Sequence, residues 1–302
     1  MGDKPRRAPK EAIGRVVETR GRKVLVRDDA GERDCFLAGH RVVVGDRVRW
    51  VPARGSGGKV TGVEPRRTVL RRMDLRAREQ VLAANLQGLL VVASVREPGF
   101  RGALVHRYFA AALRDGLEVV VVLNKCDLGV PEEVEAHLAL LAGELRWIHA
   151  SAQSGLGLGE VRALLAEADG PWALVGGSGV GKTSLIAALL PDKDVGAISA
   201  ISEYWGTGRH TTTHTRQFAL PGGGEIVDSP GIRNLTPVFY DPVDVRLHFP
   251  VVRHVRCRYR DCQHRPGEDG CEAEAQVPSV LLDSYRTLLA EVTGAIEARK
   301  PQ

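Results

Sequence analysis

The sequence is short of aromatic residues, with six Phe, five Tyr and four Trp among 302 residues, and it carries two Met and five Cys. So few cysteines exclude a disulfide scaffold. Long apolar runs are also missing: the longest, Leu86 to Val95 and Val119 to Leu123, fall far short of the roughly 20 residues that cross a bilayer. The N-terminal MGDKPRRAPK is basic with no apolar stretch behind it, and Arg6 stands where a myristoylation motif needs Ser or Thr. The expectation is a cytoplasmic protein without a membrane partner. What is present is an apolar fraction of 43%, enough for a core, and a length that allows two or three folded units.

The net charge of +5 hides a steep asymmetry. Residues 1–72 hold 19 Lys+Arg against 9 Asp+Glu, a charge of +10, whereas residues 73–302 carry −5. A basic first quarter is the electrostatic footprint of a polyanion-binding unit, because Lys and Arg near phosphates release condensed counterions. After a start expected to be disordered over residues 1–10, β-rich runs recur at Ala12–Glu18, Lys23–Asp28, Asp34–Ala38, Asp46–Pro52 and Lys59–Glu64, punctuated by Gly21, Gly31, Gly45 and Gly57-Gly58. Val48 and Trp50 alternate with Arg47 and Arg49, which puts apolar side chains on one face and Arg on the other. Five such strands predict an OB-fold barrel, with an SH3-like barrel as the alternative.

From about residue 85 apolar strands alternate with amphipathic helices, the pattern of a parallel sheet covered on both faces. The strands expected are Leu89–Val95, Glu118–Leu123, Trp147–Ala150, Trp172–Val175 and Glu225–Val227. Ligands in such sheets bind beyond the carboxyl ends of the strands, and that is where the motifs fall. Gly176, Gly177, Ser178, Gly179, Val180, Gly181, Lys182, Thr183 and Ser184 follow one strand and open the helix to Leu190, the context a P-loop requires. Its glycines let backbone N–H groups close on phosphates, Lys182 reaches the β and γ oxygens, and Thr183 can ligate Mg²⁺.

Asn124, Lys125, Cys126 and Asp127 follow another strand and look like the guanine-reading element of the translation-factor class of GTPases. A carboxylate at Asp127 can accept from both the ring N–H and the amino group of guanine, a pair that adenine lacks, which selects GTP over ATP. By the same resemblance Lys125 lays its stem over the base and Asn124 ties the loop together. Ser151-Ala152 resembles the loop whose Ala152 N–H meets the guanine oxygen, and Asp228-Ser229-Pro230-Gly231 fits a DxxG element in which Asp228 holds Mg²⁺ through water and the Gly231 N–H meets the γ-phosphate. Between them GRHTTTHT, Gly208 to Thr215, occupies the place of a switch in which Thr211, Thr212 or Thr213 would ligate Mg²⁺.

Cys257, Cys262, His264 and Cys271 form Cys-x4-Cys-x-His-x6-Cys, three thiolates and an imidazole that fill a tetrahedral structural Zn²⁺ site with no open position. Arg253, Arg256, Arg258, Arg260 and Arg265 surround it, and Cys35 and Cys126 are expected to be packing residues. After Pro278, Leu281, Tyr285, Leu288, Val292 and Ile296 recur at helical spacing as a packing stripe.

Ordinarily the P-loop leads and the guanine tetrad comes fourth, whereas here the order is tetrad, Ser-Ala, P-loop, threonine switch, DSPG. The domain is circularly permuted. With NKCD, GGSGVGKTS, GRHTTT and DSPG in this order between a basic barrel and a Cys/His cluster, the chain resembles the small-ribosomal-subunit biogenesis GTPases of the RsgA type over nearly its whole length. The spacing before Cys271 is slightly longer than that family often shows. The resemblance implies GTP hydrolysis, with Mg²⁺, coupled to late maturation of the 30S subunit and binding to 16S rRNA; a monomer with no DNA partner is expected. A GTP-gated RNA-binding module with incidental hydrolysis is the alternative. The expected division is a barrel over 1–72, a permuted GTPase domain over 73–235, and a zinc-binding helical module over 236–302. Ile232 stands where Ras-like enzymes place the Gln that orients water, so hydrolysis by the isolated protein should be slow; His210 or His214 could take over once a partner orders the loop, with His210 preferred because it lies inside GRHTTT.

Overall fold

A computed structural model describes residues 11–53, 57–73, 78–190, 215–228 and 238–298. Eleven strands join side by side in the order β10-β9-β8-β11-β13-β12-β1-β2-β3-β5-β4. The first five of these pair in parallel: β10 (Arg146–His149), β9 (Glu118–Asn124), β8 (Gly88–Ser94), β11 (Trp172–Val175) and β13 (Glu225–Asp228). All seven residues of β8 are buried, as a parallel strand covered on both faces demands.

Successive side chains divide between two cores with the period of two that a strand imposes. Leu89, Val91 and Ala93 of β8 and Val121 and Leu123 of β9 enter one core with helix α1 (Gly102–Arg114) and the long Ser279–Glu297 helix. Leu90, Val92, Val120 and Val122 enter the other with α3 (Leu158–Ala166) and α4 (Lys182–Leu189), while α2 (Glu132–Ala139) lies on the first side. The chain runs from β8 outward to β9 and β10 and then returns across the sheet to β11 on the other side of β8. The reversal opens a crevice between β8 and β11, where ligands of open α/β sheets bind.

The five predicted N-terminal strands form as β1 (Ala12–Arg20), β2 (Lys23–Asp28), β3 (Gly31–Phe36), β4 (Arg47–Pro52) and β5 (Gly58–Val63). The pairing order β1-β2-β3-β5-β4 closes through β1 against β4, giving the OB-type barrel, with β3 and β5 parallel. Val16, Val24, Val26, Cys35, Val48, Trp50 and Val60 fill it, so Cys35 is a packing residue as expected. Burial pushes its thiol pKa up.

Three strands were not expected from the sequence. β6 (Val69–Met73) and β7 (Glu79–Ala84) form a hairpin whose Leu70 and Ala83 join the core of α1, and β12 (Arg216–Ala219) pairs with β13. Among the described residues the barrel meets the rest of the chain at Gly45 and along β1. At Gly45 the backbone has φ +90° and a Cβ would lie 1.9 Å from the Ala84 carbonyl oxygen, so only glycine permits the approach. There the Asn85 side chain donates to the Gly45 carbonyl at 2.9 Å and accepts from the Arg67 N–H at 2.8 Å. At the second, β1 pairs with β12, and Arg15 and Arg27 grip Glu225 at 2.5 and 3.0 Å.

The Ser279–Glu297 helix turns Leu281, Tyr285, Leu288 and Val292 into the α1 core with Ile296 partly covered, the predicted stripe. Buried His106 of α1 touches His137 of α2 and Ser284 of the long helix, each at 3.0 Å. Glu144 accepts from the Val251 N–H at 3.3 Å and meets Arg253 and His254, each at 2.8 Å. The C-terminal segment is thus packed onto the central sheet through both apolar and ionic contacts.

Candidate functional site

Asn124 ends β9 and is buried. Its Nδ2 donates to the Val180 carbonyl of the glycine loop at 2.9 Å, and its Oδ1 accepts from the Ala152 N–H at 3.1 Å. One side chain therefore ties together three segments far apart in sequence: the tetrad, the Ser-Ala loop and the P-loop. Lys125 follows with φ +65° and donates Nζ to the Glu97 carbonyl, which ties the tetrad to the segment after β8. Cys126 is half-buried: its N–H donates to the Ala150 carbonyl at 3.1 Å and its Sγ to the Leu123 carbonyl at 2.9 Å. Asp127 is exposed on the short turn Cys126–Leu128 beyond the strand. Ser151 is fully buried and its hydroxyl accepts from the N–H groups of Gln153 and Ser154 at 3.2 and 3.0 Å, shaping the loop that presents Ala152. The Ala152 N–H, assigned by resemblance to the guanine oxygen, is already engaged by Asn124.

The loop from Gly176 to Gly181 connects β11 to α4. Gly181 has φ +93°, and a Cβ there would lie 2.3 Å from Asn124 Nδ2, so the glycine makes room for the amide that holds the loop. Lys182 begins α4 and folds back over the loop, donating Nζ to the Gly176 carbonyl at 2.8 Å and to the Gly177 carbonyl. No acidic residue occupies the first turn of α4, and its N-cap has no side-chain hydrogen bond. The positive end of the helix is therefore not offset by a carboxylate from its own first turn. Ser178 and Gly179 are exposed, Gly177 and Thr183 half-buried, and Ser184 exposed on the first turn. These features fit a nucleotide: a glycine loop at a helix start, a lysine folded over it and a hydroxyl beside it, all at the end of a parallel strand.

Val227 of β13 pairs with Ala173 of β11, so half-buried Asp228 leaves the sheet beside the start of the glycine loop. Gly231, His210, Thr211, Thr212 and Thr213 lie outside the described residues. The strand between them is described: β12 begins directly after Thr215, and Arg216 pairs with Asp228.

Tyr108, missed from the sequence, lies fully buried beneath the loop and accepts a hydrogen bond from the Gly176 backbone, while burial pushes its hydroxyl pKa up to about 12. Its only signal was helical spacing within α1, which carries no hint of chemistry.

The four predicted metal ligands come together. His264 Nδ1 lies 3.4 Å from Cys257 Sγ and 3.5 Å from both Cys262 Sγ and Cys271 Sγ. Tetrahedral zinc, with Zn–S of about 2.3 Å and Zn–N of about 2.0–2.1 Å, separates nitrogen from sulfur by about 3.5 Å, so the cluster has the dimensions of a Cys₃His zinc site. Its surroundings fix the ligands. Tyr285 Oη donates to the Gln263 carbonyl at 2.8 Å and Arg286 Nε to the His264 carbonyl at 2.9 Å. Glu268 accepts from the N–H groups of Gln263 and Arg265 at 3.0 and 2.9 Å; burial raises its pKa, but these bonds outweigh it and the carboxyl is held low. Burial pushes the Cys262 and Cys271 thiols up, so a metal would displace protons on binding.

A crevice with guanine tetrad, Ser-Ala loop, P-loop and Asp228 at the ends of parallel strands, reached by the chain in that order, defines a circularly permuted GTPase, a GTP hydrolase. Residues 63–237 match the profile of the RsgA GTPase family. The chain is 38% identical to the small ribosomal subunit biogenesis GTPase RsgA of Azotobacter vinelandii, over 93% of this chain and 86% of that one. It is also 38% identical to the protein of the same name from Chromohalobacter salexigens, over 94% and 87%. The crystal structure of YjeQ from Thermotoga maritima superposes with a TM-score of 0.75 at 25% identity, covering 94% of this chain and 99% of that one. The fold of YloQ, described as a circularly permuted GTPase, matches with a TM-score of 0.68 at 18% identity, covering 99% and 100%. The chain belongs to the RsgA GTPase family.

Proposed function

We propose that this GTPase acts in late maturation of the 30S ribosomal subunit, binding 16S rRNA as a cytoplasmic monomer and hydrolysing GTP when correctly docked. The observation that carries the nucleotide reading is the Asn124 side chain, which spans Val180 and Ala152 and so holds guanine-side and phosphate-side loops in one unit. The ribosomal reading is carried by relatives named as small ribosomal subunit biogenesis GTPases. Among the described residues no helix is long and apolar enough to cross a membrane.

In this reading Asp127 accepts from the guanine ring N–H and amino group, Lys125 lies along the base, and the Ala152 N–H is shared between Asn124 and the guanine oxygen. Lys182 leaves the carbonyls of Gly176 and Gly177 for the β- and γ-phosphate oxygens, which offer full negative charge in place of carbonyl dipoles. Thr183 and Asp228 hold Mg²⁺, which offsets the charge of the phosphates, and Gly231 with one of Thr211, Thr212 and Thr213 senses the γ-phosphate. His210 orients the attacking water once the subunit orders its loop. Cys257, Cys262, His264 and Cys271 hold one structural Zn²⁺. The barrel (1–72) and zinc module (236–302) grip the subunit, and the domain between them (73–235) carries the nucleotide.

GTP turnover measured side by side with 30S subunits, 50S subunits and free RNA tests the proposal. Stimulation by 30S subunits is expected, and stimulation confined to 50S subunits would overturn it.

A further inference from the structure

We infer that Phe36, flanked in register by Lys23 and Lys59, is a stacking site for an unpaired base of single-stranded RNA. The inference rests on the proposed RNA partner and assigns it a place and a form. In the antiparallel β2–β3 pair Phe36 stands opposite Lys23, and in the parallel β3–β5 pair it stands beside Lys59. Residues in register share a face. Cys35 faces the barrel core, so Phe36 faces outward, where it is 52% exposed with Lys23 Nζ 5.0 Å from its ring centroid.

A single exposed apolar residue is ordinary. The charges around this one are not. Arg15, Arg20, Arg27, Arg33, Arg49 and Arg66 each meet a carboxylate, from Glu225, Glu18, Glu32, Asp28, Glu64 and Asp46 respectively. Lys23 and Lys59 meet none among the described residues. The acid nearest along β3, Asp34, is held by Arg20 at 3.6 Å. Six barrel arginines are thus held by carboxylates, whereas the two ammonium groups that stand in register with the exposed Phe36 ring meet none among the described residues. Two other exposed aromatics, Tyr240 and Tyr259, have hydroxyl partners in Glu79 and Asp269 and lie under Arg114 and Arg258. Phe36 has no polar atom to satisfy and is half exposed, and the cation over its ring, Lys23, is one that a phosphate of a stacked strand can draw away.

Lys23 opens β2 directly after the β1–β2 turn at Gly21-Arg22, and Lys59 is the second residue of β5. Barrels of this topology take oligonucleotides along strands 2 and 3, between the turn that joins strands 1 and 2 and the connection from strand 4 to strand 5. A ring between cations suits a strand whose base is free to stack while its phosphates reach the ammonium groups. Duplex RNA keeps its bases stacked on each other and offers no such face.

The test uses the full-length protein, a fluorescein-labelled 12-nucleotide single-stranded RNA and a duplex of the same length, with binding followed by anisotropy. Phe36→Ala is expected to weaken single-strand binding roughly tenfold and Phe36→Tyr to restore it, with duplex binding unchanged. Lys23→Gln with Lys59→Gln should flatten the dependence of log affinity on log salt by about 1.4. Basal GTP turnover and melting temperature, measured on each variant, should match those of the parent. Equal single-strand affinity for Phe36→Ala, equal weakening of strand and duplex, or no single-strand binding by the parent would overturn the inference. Stimulation of turnover by 30S subunits is a separate readout: its presence without any Phe36 effect removes the stacking site and leaves the proposed function standing.

Discussion

Asn124 makes two hydrogen bonds to backbone groups of different loops, one as donor and one as acceptor, so its amide cannot be exchanged for a carboxylate or an apolar group without loss. Asn124→Ala leaves the Val180 carbonyl unpaired in a buried site, a cost of about 2 kcal/mol, and should lower guanine nucleotide affinity roughly 30-fold in a titration with a fluorescent GDP analogue. Asn124→Asp, which keeps the acceptor and sets a carboxylate against the Val180 carbonyl, should do no better. The residue type at 124 could be read from the tetrad, but its bridge to Val180 could not, because the two positions are 56 apart in sequence. His106 was likewise invisible: nothing around it in sequence distinguishes it from any other helix residue. Burial, then the neighbouring His137, lowers its pKa from 6.5 to about 3. The unfolded chain binds the proton that the folded chain refuses, so His106 costs no stability above pH 6.5 and destabilises progressively as the pH falls toward 3. The melting temperature should drop between pH 7.5 and 5.5, and His106→Gln should flatten that drop.

Elements that fill both faces of the sheet were legible because their sequences are nearly all apolar. β8 and β9 show this, as does the closed barrel with its alternating Val and Arg. β12 was not, since RQFA is four residues long and buries Gln217 where the pattern calls for an apolar side chain. The β6–β7 hairpin was hidden by its arginines for the same reason. Yet β12 and β13 connect the threonine segment to Asp228, and the barrel holds that hairpin through Glu225. Glu225→Gln removes the charge that Arg15 and Arg27 share in a partly exposed setting, so a loss of about 1 kcal/mol is expected in denaturant unfolding. Nucleotide affinity should stay within a factor of two, because no residue of the crevice touches Glu225 among the described contacts.

For the whole molecule the charge count identified the basic segment but overstated its free charge, since Arg20, Arg27, Arg33, Arg49 and Arg66 are paired with barrel carboxylates and Arg15 with Glu225. The Cys₃His cluster was legible from spacing alone, whereas its continuity with the central core was not. Ala273, Val277, Leu281 and Tyr285 share one apolar cluster with Val105, Tyr108 and Phe109 of α1. Removing zinc with a strong chelator should therefore raise amide exchange over residues 256–298 and lower the melting temperature of the whole chain in one transition. Metal analysis should return one zinc per chain, and Cys262→Ser should abolish it.

The pairing of β1 with β12 has a further consequence for solubility. A sheet that stopped at β12 would end in a row of backbone donors and acceptors open to a second chain, and natural sheets cover such rims. Here the barrel serves as that cover, with the Thr19 N–H on the Thr215 carbonyl at 3.3 Å and Glu18 opposite Arg216. A chain beginning at Val63 should keep its nucleotide crevice but self-associate rim to rim, visible as concentration-dependent sedimentation. The barrel thus keeps the GTPase sheet from adding strands of its own kind.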